Sequence, residues 1–410
     1  MHNELAAPRP PEQRLDLLDA VRGFALLGIL LMNIEFFNRN FYDFMSGVDT
    51  TPGAAGIAAW FVFVFVQGKF WVLFSLLFGM GFALMQQRLE DSGRPFARLY
   101  LRRTLALAGF GLAHIVLVWP GDILFAYAIT ALLLMAFLQV KGKALLITGL
   151  GLYGLVALLW VFFGWAMGYM SEAEIAELGA DMAADIAAGL EASRVYAEGG
   201  FLEVTAQRAS DYFGVMLTDV LMFQVPMALG VFLIGGWLLR SGRMARPFEF
   251  LRFWWMTLLL GAAAGAYFIH ASLEMGSSFD IRSEFPAALQ AAGLMNLGSL
   301  PLSMAYLAAF VLLFQTAAGK AVLGVLAPAG RMALTHYLMQ SLVCSLLFFG
   351  YGLGWYGEVD RWQQVQIALL IFVAQVAISP LWLRHFRYGP MEWLWRGLTY
   401  GQLPALRRAD

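Results

Sequence analysis

Four side chains able to handle protons and charge sit in otherwise apolar surroundings: Asn33, Lys69, His114 and Asp122. An imidazole near a carboxylate in a low-dielectric pocket is suited to take a proton from an acceptor hydroxyl or amine, or to carry an acyl group briefly. In such a site Asp122 orients or charge-stabilises His114, and Asn33 or Lys69 binds a developing oxyanion. A second set, Asp19, Arg22, Arg102, Arg103, Arg331, His336 and Gln340, could line a mouth for a phosphorylated donor, because Arg at helix ends binds phosphate well. Every one of these residues also has a bland explanation. Lys69 and Arg22 can snorkel, Asp19 and Asp122 can cap helices, Asn33 can bond to a neighbouring helix, and His114 can be a packing residue. The arginines also satisfy the ordinary rule that positive charge stays inside. The chemical reading rests on four polar groups converging at one depth.

The elements that must position them are membrane helices. The chain has 410 residues, 60% hydrophobic and 13% charged, with mean hydropathy +0.68, whereas soluble domains carry about a quarter charged residues. Apolar stretches fall at about 20–37, 57–87, 99–119, 122–138, 143–169, 215–239, 248–270, 292–316, 331–355 and 364–384, each near the roughly 20 residues a span needs. The expected fold is therefore all-α, a polytopic bundle of about ten transmembrane helices. Its predicted divisions are an N-terminal tail 1–16, a bundle 17–384 and a C-terminal tail 385–410. The second stretch is too long for one straight span, and a break at Gly68 leaves a full-length helix from about 69 to 87. Arg and Lys gather in alternate connections and in both tails, which predicts that both termini are cytosolic. Segment 170–214 opens with the capping box Ser171/Glu174 and continues with Ile175, Leu178, Met182, Ile186 and Leu190 at helical spacing. It is expected to be an acidic amphipathic helix on the extracytosolic face.

From Arg22 to Asn33 is eleven residues, which returns nearly to the same helix face with a rise of roughly 16 Å. One stripe thus links the two membrane surfaces, with Asp19 and Arg22 three apart at the cytosolic entrance. His336 and Gln340 share a face one turn apart in the ninth stretch. Net charge is −1 and gives no reason to expect nucleic acid as a partner, while the single Cys344 excludes an internal disulfide and a Cys-based metal site. No metal is expected. Residues 149–154, GLGLYG, match a dinucleotide fingerprint only formally and read as helix packing, as do Gly79 and Gly81.

The stretches LDAVRGFALLGILLMNI, GKFWVLFSLLFGMGFAL, GLAHIVLVWPGDILFAYA and GRMALTHYLMQSLVCSLLFFGYGLG, which sample nearly the whole chain, resemble the YeiB-like family of bacterial inner-membrane proteins of unknown function. The resemblance implies a C-terminal family domain at about 230–400 and an inner-membrane, multi-pass location. That family is similar to transmembrane acyltransferases of the heparan-α-glucosaminide N-acetyltransferase group, which share the D-x-x-R-G entry, here Asp19, Arg22 and Gly23, and an Asn at the far end of the first helix, here Asn33. This second likeness implies acetyl-CoA or another acyl-CoA as donor and a small-molecule, glycan or lipid acceptor on the far side. It also implies a His soon after that Asn. Residues 34–56 contain none, so His114 would have to supply it. The expected partners are the lipid bilayer, the acceptor and a second copy in a homodimer, and the competing expectation is a transporter or flippase of a polar or envelope-lipid substrate.

Overall fold

The computed structural model describes residues 16–39, 51–93, 95–276 and 281–408. The expected tail with Arg9 and Arg14 and residues 40–50 of the stretch 34–56 lie outside them, as do the side chains of Ile175 and Met182. Apart from one bridge between Phe386 and Arg407, every regular element among the described residues is helical. Each of the ten apolar stretches forms helix: α1 (Asp16–Asn38), α2 (Ala54–Phe65) with α3 (Lys69–Asp91), α4 (Phe96–Leu117), α5 (Leu124–Leu134), α6 (Lys143–Met167), α7 (Glu172–Glu198), α8 (Phe201–Ser210), α9 (Val225–Arg240), α10 (Leu251–Gly276), α11 (Ile281–Phe314), α12 (Ala317–Gly324), α13 (Ala327–Arg331), α14 (Ala333–Phe348), α15 (Arg361–His385) and α16 (Pro390–Tyr400).

Among the described residues, seven helical stretches are long and apolar enough to cross a membrane, fewer than the ten anticipated. The shortfall has a local cause. Leu124–Phe137 and Ala333–Phe348 are apolar but short, because the turn through Asp122 delays the start of one and Phe349, in extended conformation, ends the other. Irregular backbone at such points is tolerable where protein covers it. α4 is helical throughout, but its first turns carry Arg98, Arg102 and Arg103.

The break expected at Gly68 is present. Gly68 caps α3 with φ +79°, a left-handed conformation that costs a side-chain-bearing residue energy. A Cβ there would also meet the Ser299 hydroxyl. The chain therefore stops after α2 and restarts at Lys69. The capping box at Ser171 is also formed and opens α7. Of the small-residue patterns, Gly79 packs against the Phe232 backbone of α9 and Gly149 against Gly230, whereas Gly81, Gly151 and Gly154 face open space.

α1 lies at the centre, in contact with α3, α11, α13, α14 and α15. Its crossing with α13 is tight: Cβ atoms at Gly23 and Gly330 would collide with the carbonyls of Leu326 and Asp19 respectively. Residues 385–408 of the expected tail are built into the bundle through α16. Glu392 accepts from the Leu334 and Thr335 amides at 2.7 and 3.1 Å and from the Thr335 hydroxyl at 2.6 Å, so a carboxylate sits on the otherwise unsatisfied N-terminus of α14.

Candidate functional site

α4 ends at Leu117 and α5 begins at Leu124, and the intervening turn folds Asp122 back onto His114. Gly111, one turn before His114, makes this possible: a Cβ there would meet Phe125 backbone and the Asp122 carboxylate. Gly111→Val is accordingly expected to prise the turn off α4 and lower stability by about 1–3 kcal/mol, as measured by thermal unfolding.

Asp122 divides its two oxygens. Oδ1 accepts from the Phe125 amide at 2.7 Å and holds the start of α5, while Oδ2 lies 2.8 Å from His114 Nδ1. One carboxylate thus bonds to the first turn of α5 and orients the imidazole, while the N-cap position itself is Ile123. An ionised carboxylate only accepts, so Nδ1 carries the proton and Nε2 bears the lone pair. His114 is 2% exposed and Asp122 3%, and Nε2 has no hydrogen-bond partner among the described residues. A buried, oriented imidazole whose second nitrogen is unpartnered has the geometry a general base requires.

Aromatic rings wall the dyad. The Tyr337 ring lies 5.3 Å from the imidazole and the Trp119 ring 6.3 Å. Phe37 of α1 stacks on Trp119 at 4.6 Å, with Phe36 at 6.3 Å. The Tyr337 hydroxyl accepts from the Ile123 amide at 3.3 Å, next to Asp122.

Of the other two members of the expected quartet, Lys69 is bonded elsewhere. Lys69, fully buried, donates to the Phe63 carbonyl at 3.0 Å and to Met295 Sδ at 3.1 Å. Its ammonium thus sits at the carbonyl end of α2, where a cation is favoured. Asn33 is half-buried, one turn before the Phe36–Phe37 pair. Among the described residues, no hydrogen bond, ion pair or ring contact joins either of them to His114 or Asp122.

At the opposite end of α1, Arg22 Nη1 reaches Asp19 Oδ1 at 2.6 Å. Arg103 lies over the Trp395 ring at 3.7 Å, within electrostatic reach of Arg22 and of Arg396 on α16, and Arg102 donates to the Leu398 carbonyl at 3.2 Å. Arg331 ends α13, the helix that crosses α1 beside this cluster. His336 and Gln340 are engaged differently. His336 Nε2 lies 2.7 Å from the Ser379 hydroxyl, and Gln340 donates to Gln375 at 2.8 Å. Both are committed to bonds between α14 and α15, with only His336 Nδ1 left unpartnered.

Several polar contacts of this structure escaped the sequence reading. Glu35 of α1 is 4% exposed and pairs with both Arg361 and Arg39. Arg208 and Tyr212 lie buried near the dyad. Arg396 joins the arginine cluster from α16. Contacts this distant in sequence leave no periodic signal, and a polar residue on an amphipathic helix looks like surface.

No solved structure matches the chain. The family model described as a protein of unknown function (DUF418) matches residues 238–402. The chain is similar to the uncharacterized protein YxaH of Bacillus subtilis, 31% identical with 96% of each chain covered. It is similar to the uncharacterized protein YeiB of Escherichia coli, 33% identical with 93% of this chain and 95% of the relative covered. An uncharacterized 39.9 kDa protein of Bacillus acidopullulyticus is 28% identical over 95% of each chain. Full-length similarity at this level, on an all-helical apolar bundle, establishes that the chain belongs to the YeiB-like family, whose function is unknown.

Proposed function

We propose that this membrane protein is an acyltransferase of the bacterial inner membrane, moving an acetyl group from cytosolic acetyl-CoA to a hydroxyl or amine of an acceptor on the extracytosolic side. The observation that carries the reading is the buried His114–Asp122 pair with its vacant Nε2. In this reading Nε2 takes the acceptor proton as the acceptor atom attacks the acyl carbon. Asp122 stabilises the imidazolium so formed, the C–S bond of the thioester breaks, and the proton taken by Nε2 is returned to the departing CoA thiolate. The chain's own residues supply binding, orientation and the proton path; the thioester supplies the activated acyl group.

The donor end is assigned to the arginine cluster. Arg22 and Arg396 both lie within electrostatic reach of Arg103, an arrangement that favours a polyanionic ligand such as the phosphates of CoA. Adding acetyl-CoA to the purified protein is expected to raise its unfolding midpoint, since a ligand held only by the folded state stabilises it. The rise should be lost in Arg396→Ala. No rise with any acyl-CoA would contradict the reading.

One observation favours a second reading. A discontinuous helix with a buried lysine, here α2 and α3 about Gly68 and Lys69, is an architecture transporters use to bind a charged substrate within the membrane. Under that reading Lys69→Met abolishes substrate movement in proteoliposomes. Under the acyltransferase reading Lys69→Met leaves acyl transfer largely intact, because Lys69 touches neither His114 nor Asp122.

A further inference from the structure

Arg208, on α8, is 0% exposed. Its Nη1 donates to the Val116 carbonyl at 3.3 Å and its Nη2 to the Tyr351 hydroxyl at 2.7 Å, while Nε has no partner. The rings of Phe201, Phe349 and Tyr351 surround the guanidinium at 5.7, 5.3 and 5.4 Å. What is missing is a counter-charge. The adjacent carboxylate, Asp211, is taken up by the Tyr196 hydroxyl at 2.6 Å and by Gln207 at 2.7 Å. Among the described residues no ion pair joins Arg208 to any carboxylate. A guanidinium removed from water with only a carbonyl and a phenol as acceptors is a costly arrangement that folding alone does not explain.

Its position suggests the explanation. Val116 is two residues beyond His114. Tyr212, one turn beyond Arg208, is fully buried, has an unpartnered hydroxyl and lies within electrostatic reach of Asp122. Arg208 Nε, the Tyr212 hydroxyl and His114 Nε2 are thus three unsatisfied polar groups around the one turn that joins α4 to α5. The chain just beyond Arg208 is also unusual. Asp211–Met216 and Val220–Gln224 are both π-helical, and wide turns of this kind loosen the helical ladder and recur at functional sites.

We propose that Arg208 binds an oxyanion group, phosphate or carboxylate, on the molecule whose hydroxyl or amine His114 deprotonates. The acceptor is then an anionic envelope molecule, held by its charge at Arg208 and presented to Nε2. Entry requires α8 to tilt away from Phe349 and Tyr351, and the two π-helical runs supply the slack. The identification of the bound molecule as the acyl acceptor rests on the acyltransferase reading; the anion site itself does not.

The test uses the full-length protein in phosphatidylcholine nanodiscs, titrated separately with inorganic phosphate and with acetate. A third arm replaces part of the lipid with phosphatidylglycerol. The unfolding midpoint is expected to rise in at least one arm, and the arm that responds says whether the oxyanion comes from water or from a headgroup. In Arg208→Met the apparent affinity should fall at least about thirtyfold, the consequence of removing one partner of a buried charge pair. Should that variant not fold, Arg208→Lys keeps the charge without the planar fork and is expected to bind about tenfold more weakly. No rise in any arm with the wild type, or undiminished binding in the variant that folds, overturns the proposal. Anion binding lost in the Arg208 variants with no acyl transfer in the wild type refutes the acyltransferase reading alone, so a failed titration and a failed acyl transfer are read separately.

Discussion

His114→Ala is expected to lower acyl transfer from labelled acetyl-CoA to the endogenous acceptor by about 10²–10⁴-fold, the usual contribution of a positioned general base. Asp122→Asn is expected to be almost as damaging, for a geometric reason. The Phe125 amide needs an acceptor, so the Asn carboxamide would turn its oxygen toward Phe125 and its NH2 toward His114. Nδ1 would then have to accept, the proton would move to Nε2, and the lone pair that serves as base would be lost. The bond from the Phe125 amide survives in this variant because the Asn oxygen accepts as the Asp oxygen does. Its unfolding midpoint should therefore stay near that of the wild type while transfer in isolated membranes collapses. Full activity of either variant would remove the dyad from the mechanism.

The largest loss of stability is expected from Glu35→Ala, about 3–5 kcal/mol. Glu35 joins α1 to α15 through Arg361, which is itself 6% exposed at the side chain and also donates to Gln364 at 2.7 Å. Taking away the carboxylate leaves a buried guanidinium without its counter-ion. Asn38, one turn later, cannot replace it, because it is already bound to Val359 and Gly357 at 2.7 and 3.0 Å. The double variant Glu35→Leu with Arg361→Met should recover most of the loss, because removing both charges also removes their desolvation cost. Unfolding of the single and double variants in one detergent checks both statements. An additive result would show that the two residues do not act as a pair.

How far the sequence could be read follows from which interactions are local. The ten helical stretches, the break at Gly68, the Ser171 cap and the Asp19–Arg22 pair all depend on residues within a few positions of one another, where composition and spacing carry the information. His114 and Asp122 also fall in this class, since eight residues and one turn separate them. Seven described stretches reach spanning length where ten spans were expected, because hydropathy does not reveal where α5 begins and α14 ends. The expected convergence of Lys69 on His114 treated equal depth as contact. A bundle has several faces at every depth, and Lys69 lies on the one shared by α2 and α11. Glu35–Arg361 and the enclosure of Arg208 by Phe349 and Tyr351 join distant parts of the chain and were invisible before folding.

The central claim is that the dyad completes a transfer begun on the opposite side of the membrane. Sealed proteoliposomes of uniform orientation, given labelled acetyl-CoA at the arginine-cluster face and an envelope-lipid extract at the other, test it most directly. Labelled acceptor is expected at the His114 face with the wild type, and none above background with His114→Ala. Label that appears equally with both proteins, or only on the face where acetyl-CoA was added, would contradict it.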